Sequence, residues 1–256
     1  MKDFFDLKAH KTTISTEVFA GIATFLASMY IIVVNPSILS QTGMSFSGVL
    51  TATVLLSFFC SLMMGLYARN PIVVAPGMGL NAFFTFSVVK GMGISYPVAL
   101  GAVFWAGIIF LLLSVFNIRT QIIKAIPKPL RYAVSAGIGL FITFIGFVNA
   151  KFIIPNPDTL VSIGKISAPE TLTFLVGLFL MAILLIRKVK AAIILGIVCT
   201  TLLAIPLGRW YGTQTVVEWK GLFATPDFSL LFALDLAGSL KIALFPVIFA
   251  FAFTDL

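Results

Sequence analysis

The chain has 256 residues, of which 60% are apolar, 13% aromatic and only 10% charged, with a formal net charge of +8. A soluble domain runs at about 45–50% apolar and about 25% charged, and a globule of this size has too little interior to enclose so much Leu, Ile, Val and Phe. The composition therefore excludes a soluble enzyme, a disordered tail and a disulfide scaffold, and predicts an all-α polytopic membrane protein.

Charges are sparse enough that the gaps between them map the spans. Positions 18–68 carry no charge, too long for one span of about 20 residues. Asn35-Pro36 and the polar patch Ser40-Gln41-Thr42-Gly43 are expected to divide this run into two helices, because Pro cannot continue a helical hydrogen-bond ladder. Glu17, with Ser15 and Thr16, is expected to cap the first. Further charge-free runs lie at 70–89, 91–118, 132–150, 171–186 and 191–208, and an eighth apolar segment begins after Lys241. The reading is seven complete spans and the start of another, each helical or shielded by protein, since lipid offers backbone amides no partner. The stretch 209–240 reads as an outer loop, with an interfacial helix from Phe228 to Leu240.

Orientation follows from Lys and Arg. With the N-terminus (residues 1–14) in the cytoplasm, the inner segments hold Lys2, Lys8, Lys11, Arg69, Arg119, Lys124, Lys128, Arg131, Arg187, Lys188 and Lys190. The outer ones hold Lys90, Lys151, Lys165, Arg209, Lys220 and Lys241. The inner excess favours this orientation in a cell (plasma or inner) membrane, and it accounts for the basic balance without nucleic acid.

The third span is unlike the others. Pro71, Pro76, Gly77 and Gly79 crowd into its first half, and the β-branched run Ile72-Val73-Val74 favours extended backbone. About six extended residues cover about 20 Å and ten helical residues from Leu80 add about 15 Å, enough for a hydrocarbon core of about 30 Å. A half-strand followed by a half-helix therefore fits, with Pro71, Pro76 and Gly77 making the break and Pro76 in the helix's first turn. The half-helix would turn unpaired N–H groups and its positive dipole end toward mid-membrane, where secondary transporters hold substrates. Asn81, in its first turn, both donates and accepts hydrogen bonds. The plainer alternative is a Pro-kinked helix whose Asn bonds a neighbouring backbone.

Asp255 stands about 21 Å along the eighth segment if that segment is one helix from Lys241. A carboxylate at such depth costs about 2.5–3.5 kcal/mol on insertion scales, which points to a role in substrate contact or in carrying a proton; the alternative is an interfacial residue near a helix end. Metal-ligand spacing, a nucleophile–base set and a phosphate loop are not found, so neither an enzyme nor a cofactor or metal is expected.

The residues Ala-Pro-Gly-Met-Gly-Leu-Asn-Ala-Phe-Phe at 75–84 resemble the signature of the AzgA-like purine permeases, a branch of the nucleobase–cation symporters. The first span, from Phe19-Ala-Gly-Ile-Ala-Thr-Phe to Val34-Asn-Pro-Ser-Ile-Leu39, and the fifth, Ile126 to Leu140, are similar too, and Phe251-Ala-Phe-Thr-Asp-Leu256 resembles the opening of the eighth-span motif. The resemblance implies the first half of a fourteen-span transporter of two inverted repeats. A core domain would take residues 15–116 and a truncated eighth span at 241–256, and a gate domain residues 117–208. It implies import of hypoxanthine, guanine and adenine by proton symport. Asn81 would contact the purine and Asp255 would match the first acid of the eighth span; Gly79 and Phe83 join them as candidate binding residues, with Asp255 the proton-coupling candidate. The partners expected are the purine, the proton and the bilayer, with homodimerisation left open. The eighth span breaks off at Leu256, so the chain reads as a fragment or a truncated product. An anion or sulfate carrier of the same architecture and a non-functional fragment are the competing readings.

Overall fold

The computed structural model describes residues 5, 7, 12–70, 72–116, 122, 124, 127–189, 192–210, 225–241 and 244–254. Pro71 and Asp255, both singled out from the sequence, lie outside the described residues. Helices dominate: α1 (Ile14–Ser28), α2 (Ile31–Leu39), α3 (Phe46–Leu66), α4 (Met78–Ala82), α5 (Tyr96–Val115), α6 (Lys128–Asn149), α7 (Pro169–Ile186), α8 (Ala192–Trp210) and α9 (Phe245–Thr254). Among the described residues, five stretches are long and apolar enough to cross a membrane: Ile14–Thr42, Phe46–Leu66, Tyr96–Val115, Lys128–Asn149 and Pro169–Ile186. The shorter apolar helices are Ala192–Pro206 and Phe245–Thr254. Large apolar side chains face outward along them, Phe19 at 71% and Leu140 at 72% exposure among them, as lipid permits and water would not.

Several expectations are corrected. Asn35-Pro36 does not end a helix but lies inside α2. The interruption falls earlier, at Met29-Tyr30, where Ile32 and Val33 bond back three residues instead of four. Pro36 removes one ladder bond, and one lost bond kinks or is absorbed where tertiary partners hold both flanks. The patch Ser40–Thr42 does end the run, in a single 3₁₀ turn closed by Gly43 at φ +94°, a left-handed conformation that favours glycine. The cap of α1 is Thr13, whose hydroxyl accepts from the Thr16 N–H at 3.3 Å, and not Ser15 or Glu17. The stretch 228–240 forms turns and one 3₁₀ turn, Gly238–Leu240, instead of an interfacial helix.

The fold is also not purely helical. Residues β1 (Ile153–Asn156) and β2 (Leu160–Ile163) pair antiparallel, with Ile153 opposite Ile163. The Asn156 side chain accepts from the N–H groups of Asp158 (2.8 Å) and Thr159 (3.4 Å), building the turn. β-branched runs on either side of Asn-Pro-Asp are a hairpin signal of ordinary strength, overlooked against so apolar a background.

Contacts divide the chain into two units: Met1–Val33, Val54–Ala75 and Phe144–Ala224 form one, and Val34–Thr53, Pro76–Thr143 and Thr225–Leu256 the other. In the first, α7 and α8 pack antiparallel through small residues. A Cβ on Gly177 would lie 2.7 Å from Thr200, and one on Gly196 3.0 Å from Met181, so the backbones approach as only glycine allows. The extended residues preceding α4 are tied to α3 by Ser61, whose hydroxyl accepts from the Val74 N–H (3.0 Å) and faces the Val74 carbonyl (3.3 Å). This satisfies extended backbone that pairs with no strand; the expected half-strand is an extended segment without a ladder.

In the second unit, α9 packs on α5. The small face Ala99, Ala102 and Ala106 of α5, each at most 1% exposed, receives Val247, Ile248 and Phe251 of α9. Residues around Asp235 close over the α5 N-terminus: the Asp235 N–H donates to the Pro97 carbonyl at 2.9 Å, and any Cβ on Gly101 would sit 2.3 Å from the Asp235 carbonyl oxygen. Asp227 caps the approach to α3, accepting from the hydroxyls of Ser45 (2.7 Å) and Ser47 (2.6 Å) and the Ser229 N–H (2.9 Å). Those donors hold its carboxyl well below the usual carboxylate range, the Ser47 hydroxyl foremost.

Candidate functional site

The site lies in the second unit, where the third span turns helical. Gly77 (φ −74°, ψ 112°) is the N-cap of α4 without a side-chain cap bond, and Pro76 stands two residues before the first helical residue, not in the first turn. Helix begins at Met78 and continues past Ala82 as a π-helical stretch, Phe83–Gly91. The first intrahelical bond runs from the Asn81 N–H to the Gly77 carbonyl (3.2 Å), so the amides of Met78, Gly79 and Leu80 have no partner within the helix. π-Helical backbone is rare and concentrates at functional sites; neither periodicity nor composition pointed to it.

Asn81 is the centre of a polar network. Its Nδ2 donates to Oδ1 of Asn35. Asn35 Nδ2 in turn donates to Thr53 Oγ1 at 2.8 Å, and that hydroxyl donates to the Val49 carbonyl one turn back in α3 at 2.7 Å. Asn35 and Thr53 are each 3% exposed, while Asn81 is half-buried. A carboxamide costs several kcal/mol in an apolar medium unless it is bonded, and this chain of donors satisfies two side chains at once. Asn81 Oδ1 has no hydrogen-bond partner among the described residues, so a carbonyl acceptor and one amide hydrogen remain to offer a ligand.

Two more ties run in step with it. Thr85, fully buried, donates to the Ile38 carbonyl over 3.5 Å, and Lys90 Nζ donates to Gln41 Oε1 at 2.9 Å while lying 5.3 Å over the Phe86 ring. Partners ascend together, 35, 38 and 41 against 81, 85 and 90, so residues 34–42 and 78–91 run parallel. Within the first segment, Thr42 Oγ1 donates to the Leu39 carbonyl (2.7 Å) and Gln41 Nε2 to that of Ser37 (3.3 Å) where α2 ends.

The remaining sequence candidates separate. Gly79 faces α6, where a Cβ would lie 2.6 Å from Ile138 Cγ2, so it serves close helix packing. Gly77, by contrast, has open space where a Cβ would stand. Phe83 is half-buried and meets Phe251 of α9 edge to face, ring centres 5.2 Å apart; Phe84 contacts the same ring at 6.4 Å. Asn35, Thr53 and Thr85 were not singled out as site residues. Next to Pro36, Asn35 looks like a helix breaker, yet an amide within an apolar run must find a partner in a membrane protein, and that is the available signal. A separate apolar cavity of about 460 Å³ lies in the other unit, lined by residues including Phe25, Phe58 and Val73. Its Ser28 and Ser61 hydroxyls are already engaged with backbone carbonyls, so it offers little polar recognition.

A set of apolar helices, one interrupted within its span and carrying a buried polar relay, defines a polytopic membrane protein. The chain belongs to the permease family, whose sequence profile matches residues 15–256. It is similar to the adenine permease AdeP of Escherichia coli, 44% identical over 254 residues, covering 98% of this chain and 56% of the relative. It is also similar to the adenine permease AdeQ of Escherichia coli, at 40% identity with 98% and 56% covered. The guanine/hypoxanthine permease PbuO of Bacillus subtilis shows 42% identity with 80% and 48% covered. The chain thus spans about half the length of these relatives.

Proposed function

We propose that the protein is a secondary active transporter, or the N-terminal part of one, that imports purine nucleobases (hypoxanthine, guanine and adenine) by proton symport across the cell membrane, with its N-terminus in the cytoplasm. The observation that carries this reading is the third span, whose helix starts within an apolar segment and holds Asn81 in a buried relay with its carbonyl unpaired. A neutral heterocycle with adjacent donor and acceptor suits a carboxamide presenting one N–H and one C=O. Relatives named adenine permease and guanine/hypoxanthine permease support the substrate class.

In this reading Asn81 reads the purine edge, Phe83 supplies apolar surface beside it, and the backbone at Gly77 and Gly79 allows the approach. Asp255 binds the substrate and carries the coupled proton. The chain forms seven spans and the start of an eighth, the first half of two inverted seven-span repeats. Residues 15–116 and 241–256 belong to a substrate-carrying core domain and residues 117–208 to a gate domain, the cycle being a population shift between outward- and inward-open states. The test is uptake of labelled hypoxanthine and adenine by the protein as its gene encodes it, in cells lacking their own purine uptake. Asn81→Ala leaves a desolvated purine edge unpaired and is expected to lower apparent affinity roughly 5- to 150-fold, the equivalent of about 1–3 kcal/mol. Unchanged uptake in that variant would remove Asn81 from its role.

An anion carrier is the second reading, favoured by the unpaired amides of Met78 to Leu80. It predicts that excess sulfate competes with purine uptake. A carboxylate at Asp255 opposes it, by repulsion, unless protonated.

A further inference from the structure

The relay behind Asn81 has a direction. The Thr53 hydroxyl has one proton, and it is directed at the Val49 carbonyl, 2.7 Å away. Toward Asn35 it can therefore only accept, which turns the Asn35 amino group to Thr53 (2.8 Å) and its carbonyl to Asn81. Asn81 must then present its own amino group to Asn35, and its carbonyl is the atom left facing away from the relay. In the reversed arrangement Thr53 would donate to Asn35, and Asn35 to the Asn81 carbonyl. That keeps two bonds, forfeits the one to Val49, and turns the Asn81 amino group outward instead. Both arrangements fill the same volume, so packing does not choose between them; the count of hydrogen bonds does.

We propose that Asn35 and Thr53 are positioning residues that lock the carboxamide orientation of Asn81, and that this lock sets discrimination between 6-oxo and 6-amino purines. The inference rests on the purine-transport reading above. A 6-oxo purine presents a carbonyl acceptor beside an N–H donor, whereas a 6-amino purine presents an amino donor beside a ring-nitrogen acceptor. A carboxamide pairs with either edge, but only in opposite orientations. A locked amide reads one edge; an unlocked amide reads both.

One hydrogen bond separates the two arrangements, so the locked one is favoured by roughly three- to tenfold. The experiment measures competition of hypoxanthine and adenine against labelled substrate in cells expressing the protein as its gene encodes it. The readout is the ratio of the two apparent affinities. Thr53→Val keeps the shape and removes the hydroxyl, and should move the ratio toward one by roughly three- to tenfold. Thr53→Ser keeps the hydroxyl and should retain the wild-type ratio. Asn35→Asp still offers Asn81 an acceptor, either as a carboxylate or as an acid whose O–H is donated to Thr53, so it should also hold the ratio, even if affinity for both purines falls; it decides the matter if the valine variant fails to reach the membrane. An unchanged ratio in Thr53→Val, an equal shift in Thr53→Ser, a shifted ratio in Asn35→Asp, or a wild-type ratio near one each overturns the lock. If neither purine competes in the wild type, the transport reading itself has failed, whatever the variants do.

Discussion

Gly79→Ala isolates the role of the third span's close approach to α6. The added Cβ would lie 2.6 Å from Ile138 Cγ2, against about 3.4 Å for ordinary contact, so about 0.8 Å must be found. The offending atom is the branch methyl of a β-branched residue within a helix, stiff about χ1, and it cannot swing aside as the end of a long chain would. The strain falls on the seam between residues 78–82 and α6 and is expected to cost about 1–3 kcal/mol. Thermal unfolding of the purified protein in detergent should show a Tm lower by several degrees, at about 2–4 °C per kcal/mol. Double variants sharpen the test. Ile138→Ala leaves only Cβ, at 3.7 Å from the added methyl, and should rescue Gly79→Ala with a coupling energy of about 1–2 kcal/mol. Ile138→Val retains Cγ2 and should not rescue. A Gly79→Ala protein as stable as wild type, or equal rescue by valine and alanine, would refute the steric reasoning.

Two hydrogen-bonded carboxylates give two further expectations. Asp227 has a folded-state carboxyl held below its ordinary value by the Ser47 and Ser45 hydroxyls. Its contribution is therefore full above the unfolded value of about 4 and declines as pH falls through it toward the folded value. The Tm difference between wild type and Asp227→Asn should shrink as pH drops from about 5 to about 2, and a difference constant over that range would contradict the assignment. The Lys151–Glu170 pair is short, 2.8 Å, but its side chains are 64% and 39% exposed. Lys151→Met should therefore change stability by no more than about 1 kcal/mol, read from the same melting curves, and a larger loss would mean the pair anchors the hairpin to α7.

Amino-acid order alone determined the solvent of this protein, because only a bilayer tolerates so few charges over so much apolar chain. It also located the interruption of the third span, since Pro and Gly act through their own backbone geometry whatever surrounds them, and it singled out Asn81. Local reasoning erred where a neighbour decides the outcome. Pro36 was read as a stop, yet α2 runs through it while Asn35 and Ile38 beside it are bonded to other segments. Gly79, a candidate binding residue by its place in the motif, also lies against Ile138, a neighbour that no local pattern names. The relay from Asn81 through Asn35 and Thr53 to Val49 joins positions in three helices, and the parallel course of 34–42 and 78–91 brings them together. Spacing within any one segment carries no trace of that relay, because hydrogen bonds between side chains far apart in sequence exist only once helix packing has set which faces meet.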